Sequence, residues 1–306
     1  MSYSLNALYL LVGVSKQAVQ QFTKRKTVQQ YKTTELLNKV DKERGECGGI
    51  GIRSLYYKIQ PDWIGRDRFE ILLAKNGYKV KKTKAFHRTT RSGNIIYPNL
   101  IEGMVLMDSW QVWQSDTTYY RIADNHYYIT LIEDIYDRYI VGYAVHHNLR
   151  TEANLAALEM AFKAKQRITG SFRIHHSDRG SQYGSDVYTE RLNNNSFFIS
   201  MGKSGPDNAY VERLHGTIKN QYLYYWKPTG LAELKKCVAK AVKHYNEHRQ
   251  HKSLGRNSPM QFNKLDKTNK MNKVHIIHSS DKELDRHSPL NSEELISGPY
   301  CRINLV

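Results

Sequence analysis

Three consecutive runs, "QVWQSDTTYYRI" (111–122), "HYYITLIEDIYD" (126–137) and "RYIVGYAVHH" (138–147), are rich in Val, Ile, Thr and Tyr and parted by short polar turns. Connections that short join antiparallel neighbours, so the three runs read as a strand meander. The pattern then alternates. "TEANLAALEMAFKAKQR" is an amphipathic helix with Thr151 at its start, "FRIHHSD" a fourth strand, "SDVYTERLNNN" a helix and "SFFISM" a fifth strand. A long helix follows Gly205-Pro206-Asp207, from about Asn208 to Tyr225. The order βββαβαβα implies an α/β fold around a mixed five-stranded sheet, with the first and fourth strands as neighbours.

Three elements of this unit each carry one carboxylate out of keeping with its surroundings. Asp116 interrupts a β-prone run, where Asp is disfavoured. Alternation puts it on the face of Gln114 and Thr118, opposite Trp113 and Ser115. Asp178 stands where the fourth strand gives way to turn residues, among His175, His176, Arg179 and Gln182; a solvated turn residue accounts for it equally well on its own. On the long helix Val211, Leu214, Ile218, Tyr222 and Tyr225 form an apolar stripe, and Asn208, Glu212, His215 and Lys219 fall together on its flank. Half-desolvated beside that stripe, Glu212 needs a partner: Lys219 two turns on, or a cation. The three carboxylates could converge on divalent metal, because Mg²⁺ is held by a few carboxylates with water and substrate phosphate. Two such ions ~3.5–4 Å apart serve phosphodiester chemistry.

A formal net charge of +17 and a pI near 9.6 point to a polyanionic partner, nucleic acid above all. The front of the chain is helical. "SLNALYLLVGVSKQAVQQF" reads as two short helices about Gly13, the second capped by Ser15. "TTELLNKVDKER", "GIRSLYYKI" and "IGRDRFEILLAKNGY" add three more. One or two helix-turn-helix units for DNA over 1–78 is the reading, against a plain helical domain with a basic surface. Residues 79–100 form a basic linker whose Lys81, Lys82 and Lys84 could track a phosphate backbone. Cys47, Cys237 and Cys301 make no metal-binding pattern and fit a reducing compartment. No apolar run approaches the ~20 residues of a membrane span. The expected location is cytoplasmic and nucleoid-associated, with no membrane partner.

"WQSDTT", "HHSDRGSQY", "SMGKSGPDNAYVERLHGTIK" and "YNEHRQHKSLGRNSPMQF" together resemble the integrase core of bacterial insertion-sequence transposases of the IS-three type. These belong to the retroviral-integrase superfamily, with an Asp-Asp-Glu triad on an RNase H-like fold. The likeness covers roughly residues 100–265, and "IRSLYYKI" and "IGRDRFEILLAKNGYKVKK" more loosely resemble the family's helix-turn-helix region. It implies an RNase H-like catalytic core over 101–265 with a C-terminal helix, and leaves 266–306 as an unassigned extension. It implies that Asp116, Asp178 and Glu212 are catalytic and bind two Mg²⁺ per site, with Mn²⁺ as substitute. DNA contacts are expected from Lys219, Asn208, Arg179, His176, Gln182, Lys203 and His215. The implied activity is cleavage at the element's ends, followed by attack of the freed 3′-OH on target DNA without a covalent enzyme intermediate. Implied partners are double-stranded DNA (terminal inverted repeats and target), a second copy of the chain, and an upstream product joined by frameshifting. The interval of 33 residues between Asp178 and Glu212 is shorter than the family commonly has, and the shortening falls in "GKSGPDNA". A catalytically silent DNA-binding regulator is the other reading.

Overall fold

The computed structural model describes residues 4–80, 95–164, 173–202, 205–265 and 275–277. Five strands form the main sheet: β2 (Val112–Ile122), β3 (Asn125–Asp134), β4 (Ile140–His146), β5 (Ile174–Ser177) and β6 (Phe198–Met201). Their order is β4-β3-β2-β5-β6, so β2 is central. It pairs antiparallel with β3 and parallel with β5. The expected meander and crossovers are therefore all present.

The sheet is covered on both faces, and β2 shows why. Trp113 points into a core filled by α5 (Thr151–Ala164) and α6 (Asp186–Asn193), stacking near Phe197 at 4.7 Å between ring centres. Ser115 and Thr117 on that same face reach the buried Tyr183 hydroxyl at 3.1 and 3.3 Å. Gln114, Asp116 and Thr118 face the other layer. That layer holds α7 (Ala209–Thr217), a π-helical turn (Ile218–Leu223), α8 (Tyr224–Trp226) and α9 (Leu231–His248). The stripe Val211, Leu214, Ile218 and Tyr222 is buried there against Ile129 and Leu131 of β3. A third cluster joins Ile101, Leu106, Val112 and Phe262.

The helical front departs from expectation. The two segments "KQAVQQF" and "TTELLNKVDKER" belong to one 31-residue helix, α2 (Lys16–Glu46), which follows α1 (Leu5–Val12). No Gly or Pro stands between Lys16 and Arg44, and four threonines bond back to carbonyls one turn earlier, so polar composition did not break the helix. The caps are as read: Ser15 Oγ accepts from Ala18 N at 3.1 Å, and Gly13 closes α1 at φ +69°. Helix α1 buries no residue, so it forms no packed pair with α2. The packed unit lies further on. Leu36 and Val40 of α2 close over Leu55 of α3 (Ile52–Ile59) and Phe69 and Leu73 of α4 (Arg66–Lys75).

Two segments outside the expected core contribute to it. Leu100 N donates to Ser200 Oγ at 2.9 Å, tying the chain before the core to β6. Beyond the reach of the resemblance, β7 (His275–Ile276) pairs with β1 (Val105–Leu106), and Ile277 is buried with Ile101 and Leu106. The β-branched residues of "VHII" (274–277) were its only local signal, set in an otherwise polar tail.

Candidate active site

Register brings the first two carboxylates together. On adjacent parallel strands Gln114 pairs with His176 and Ser115 with Ser177, so the next step sets Asp178 beside Asp116. Asp116 is 18 % exposed at its side chain. Burial first, and then the charges of Asp178 and Glu212, push its carboxyl up to about 8. Asp178 is half-buried and accepts from Gly180 N at 3.0 Å, a turn bond that fixes one carboxylate oxygen at the strand end.

Helix α7 is laid along β2 by a row of bonds. Gln114 Oε1 accepts from Tyr210 N and Val211 N, both at 3.1 Å, while its amide donates to Asp207 O at 2.8 Å. The side chain thus caps the helix start from the strand, a task that Asn208 at the N-cap does not perform through its own side chain. Asn208 Nδ2 donates to Ser115 O at 3.3 Å. His215 Nε2 donates to the Asp116 carbonyl at 3.0 Å, and Lys219 Nζ to Thr118 Oγ1 at 2.6 Å. One flank of the helix therefore follows one strand residue by residue. Gln114 was seen in the sequence only as a neighbour on the face of Asp116; a Gln two residues before a strand Asp was the available signal for the cap.

Glu212 corrects the sequence reading: it is exposed rather than half-desolvated, and the Lys219 ammonium is bonded to Thr118. One turn of helix toward the solvent side of the flank is enough to lift it clear of the stripe. Burial lowers Lys219 to about 8, against the pull of Asp116.

Four of the expected DNA contacts are buried in this structure: His176 and Asn208 are 0 % and 2 % exposed, Gln182 6 % and His215 5 %. His176 Nδ1 meets Ser200 Oγ at 2.8 Å, and desolvation lowers the ring to about 4. The same cause lowers His215 to about 3, so it is a neutral donor to Asp116 and makes no ion pair with it. In motif order these residues look like a polar ligand set. In space they are the packing beneath the carboxylates. Arg179 remains half-buried beside Asp178. Lys203, Lys81, Lys82 and Lys84 lie outside the described residues.

Among the described residues no three acidic, imidazole or thiol groups stand close enough to enclose one ion as they are. The donor set nonetheless suits a hard divalent cation: the carboxylates of Asp178 and Glu212 both act on Asp116, whose carboxyl burial and those two charges push up. Among the described residues no helix is long and apolar enough to cross a membrane.

A mixed five-stranded sheet of order β4-β3-β2-β5-β6 with helices on both faces is an RNase H-like core of the retroviral-integrase kind. Integrase core domain sequence models match residues 109–206 and 196–259. The 31 kDa protein of insertion element IS600 from Shigella sonnei is 32 % identical over 205 residues, 65 % of this chain and 75 % of that protein. The transposase for insertion sequence element IS629, also of Shigella sonnei, is 35 % identical over 156 residues, 50 % of this chain and 52 % of its own length. Among solved structures the HTLV-2 integrase catalytic core domain in complex with magnesium matches with a TM-score of 0.41 and 18 % identity, covering 50 % of this chain and 96 % of that one. The chain belongs to the bacterial insertion-sequence transposases of the IS-three type, as its motifs implied. It spans about three quarters of the first of these relatives and about half of the second.

Proposed function

We propose that this chain cuts DNA at the ends of an insertion sequence and joins each freed 3′-OH to a target phosphodiester. The observation that carries the reading is the register of β2 and β5, which sets Asp178 beside Asp116 while six bonds hold the Glu212 helix along the same strand. Asp116, Asp178 and Glu212 are the residues that would hold Mg²⁺, or Mn²⁺ in its stead, with two ions per site. When bound, such ions supply activation of the attacking oxygen and stabilisation of the leaving one.

The rest is the protein's work. Asp116 is fixed by pairing with Leu131 of β3, one residue past the end of the ladder to β5, so it serves as the rigid member of the set. Lys219 keeps a cation near the carboxylates, where it attracts a phosphate and offsets their repulsion. The substrates are double-stranded DNA, both terminal repeats and target. Two ends require two sites, hence at least a dimer on DNA. An upstream frameshift product is a further partner in this reading, and the work is done in the cytoplasm on nucleoid DNA.

The test is strand joining on a plasmid that carries the gene's own flanking DNA, in Mg²⁺ and in Mn²⁺. The unmodified chain is expected to give joined ends, and Glu212→Gln and Asp178→Asn none. Specific binding without any product, even with the upstream reading frame supplied, would favour a silent regulator instead.

A further inference from the structure

The first half of α2 carries Lys16, Lys24, Arg25, Lys26 and Lys32 and no acidic residue before Glu35. Where it passes the turn between α3 and α4, a cleft of about 530 Å³ opens, lined by Lys24, Arg25, Lys32 and Arg68 around Val28 and Trp63. No acidic residue lines it. Among the described residues none of the four cations takes part in an ion pair, and all four are exposed. Helix α4 differs. Its Arg66 is engaged by Asp67, and its Glu70 holds Arg53 at 2.8 Å. Four uncompensated cations of the front therefore gather in the cleft, three from α2 and Arg68 from the first turn of α4.

We propose that this cleft binds the sugar-phosphate backbone of duplex DNA without reading its sequence. The inference rests on the transposase reading for the identity of its ligand. Arg25, Val28 and Lys32 recur along one helix face, and Arg25 to Lys32 spans ~10.5 Å, about three base-pair steps of ~3.4 Å. Exposed cations of this kind act on phosphates by releasing counterions, and each contributes to the salt dependence of binding. The half-buried Trp63 and the aliphatic Val28 give the cleft a low-dielectric floor, which strengthens attraction to an anion above it.

The test measures binding of the full chain to two duplexes of equal length, one with the element's end and one of scrambled sequence, across a salt series. The variants are Lys24→Gln, Arg25→Gln, Arg68→Gln and their combination, each a neutral change at an exposed position. The expected result is an affinity loss equal on both duplexes, with the slope of log K against log salt falling by ~0.9 for each cation removed. An unchanged slope overturns the proposal. So does a loss confined to the element's end, which would assign base reading to the cleft, or an unmodified chain that binds neither duplex. Strand joining is read separately on the unmodified chain: absence of joining with retained salt-dependent binding would strike the catalytic reading alone, whereas Glu212→Gln, which leaves the cleft intact, is expected to lose joining and keep the binding.

Discussion

The Gly49 amide donates to the Gln221 carbonyl at 2.9 Å, and through this bond the helical front is joined to the helix that carries Glu212. Gln221 lies within the π-helical turn, where the widened ladder releases a carbonyl for an outside partner. The Cys47 side chain meets the same carbonyl at 3.8 Å and Arg249 Nε meets the Gln221 side chain at 3.3 Å. A Cβ on Gly49 would stand 2.5 Å from Gln221 Cα, and one on Gly48 2.3 Å from the Tyr225 ring. The approach is one that only glycine permits.

Gly49→Ala is therefore expected to push the front off the π turn, at a cost of ~1–3 kcal/mol. Amide hydrogen exchange at Gln221 and its neighbours should quicken, and strand joining should fall. Gly45→Ala is the control: it meets nothing within 4 Å inside α2 and should leave both readings unchanged. Equal behaviour of the two variants would show that the contact does not hold the catalytic helix.

Gln114 is the strand's grip on that helix. Gln114→Ala should cost ~1–3 kcal/mol, because it leaves two amides at the start of α7 and the Asp207 carbonyl without their bonds. Joining should drop by more than DNA affinity does, since the side chain orients Glu212 rather than touching substrate. A variant with full joining activity would show that packing of Val211 and Leu214 alone is enough.

Metal and Asp116 should act on stability in opposite senses. Burial, and then two neighbouring negative charges, push the Asp116 carboxyl up to about 8, so ionising it in the metal-free chain is costly. Asp116→Asn should raise metal-free stability by ~0.5–2 kcal/mol at neutral pH while abolishing joining. Mg²⁺ should raise the melting temperature of the unmodified chain and leave that of Asp116→Asn nearly unmoved. Equal shifts in both would place the ion elsewhere.

Glu133, the cross-strand partner of Gln114, supplies a second pH dependence. It is buried beneath α9, where it accepts from the Tyr245 hydroxyl at 3.1 Å, and burial pushes it up to about 7. A carboxyl raised in the folded chain binds its proton more tightly there than in the unfolded chain. Its contribution is complete below an ordinary carboxylate pKa of ~4.3 and is lost as pH rises toward 7, a change on the order of 3 kcal/mol. Glu133→Gln should flatten that fall. Urea unfolding at pH 5 and pH 8 measures it; an unaltered difference between the two pH values would mean that Glu133 is ionised at no net cost.

The sheet was legible because its signals are local: alternation put Trp113 and Asp116 on opposite faces, and the 3.6-residue stripe from Val211 to Tyr222 marked the buried side of α7. What eluded the sequence depends on contacts distant in the chain. Gln114 caps a helix that begins 95 positions later, at Ala209. The π turn is spelled "IKNQYL", with no Gly or Pro to announce it, and is closed by Gly49. His176 and His215 belong to residue types suited equally to ligand contact and to buried bonding, and only burial decides between them. The unbroken α2 was hidden by polar residues that interrupt an apolar pattern without interrupting a helix.

The placement of α9 has a consequence for the order in which the chain is made. Glu133 and the apolar residues of β3 and β4 are covered by Leu234, Val238, Val242 and Tyr245, which leave the ribosome about a hundred residues after them. Until then only α7 and the π turn are present to cover that side of the sheet, and the helix that carries Glu212 lacks the α9 residues that pack with it. A nascent or truncated chain is thus kept incompetent by its own topology. For a transposase, late completion is a form of restraint.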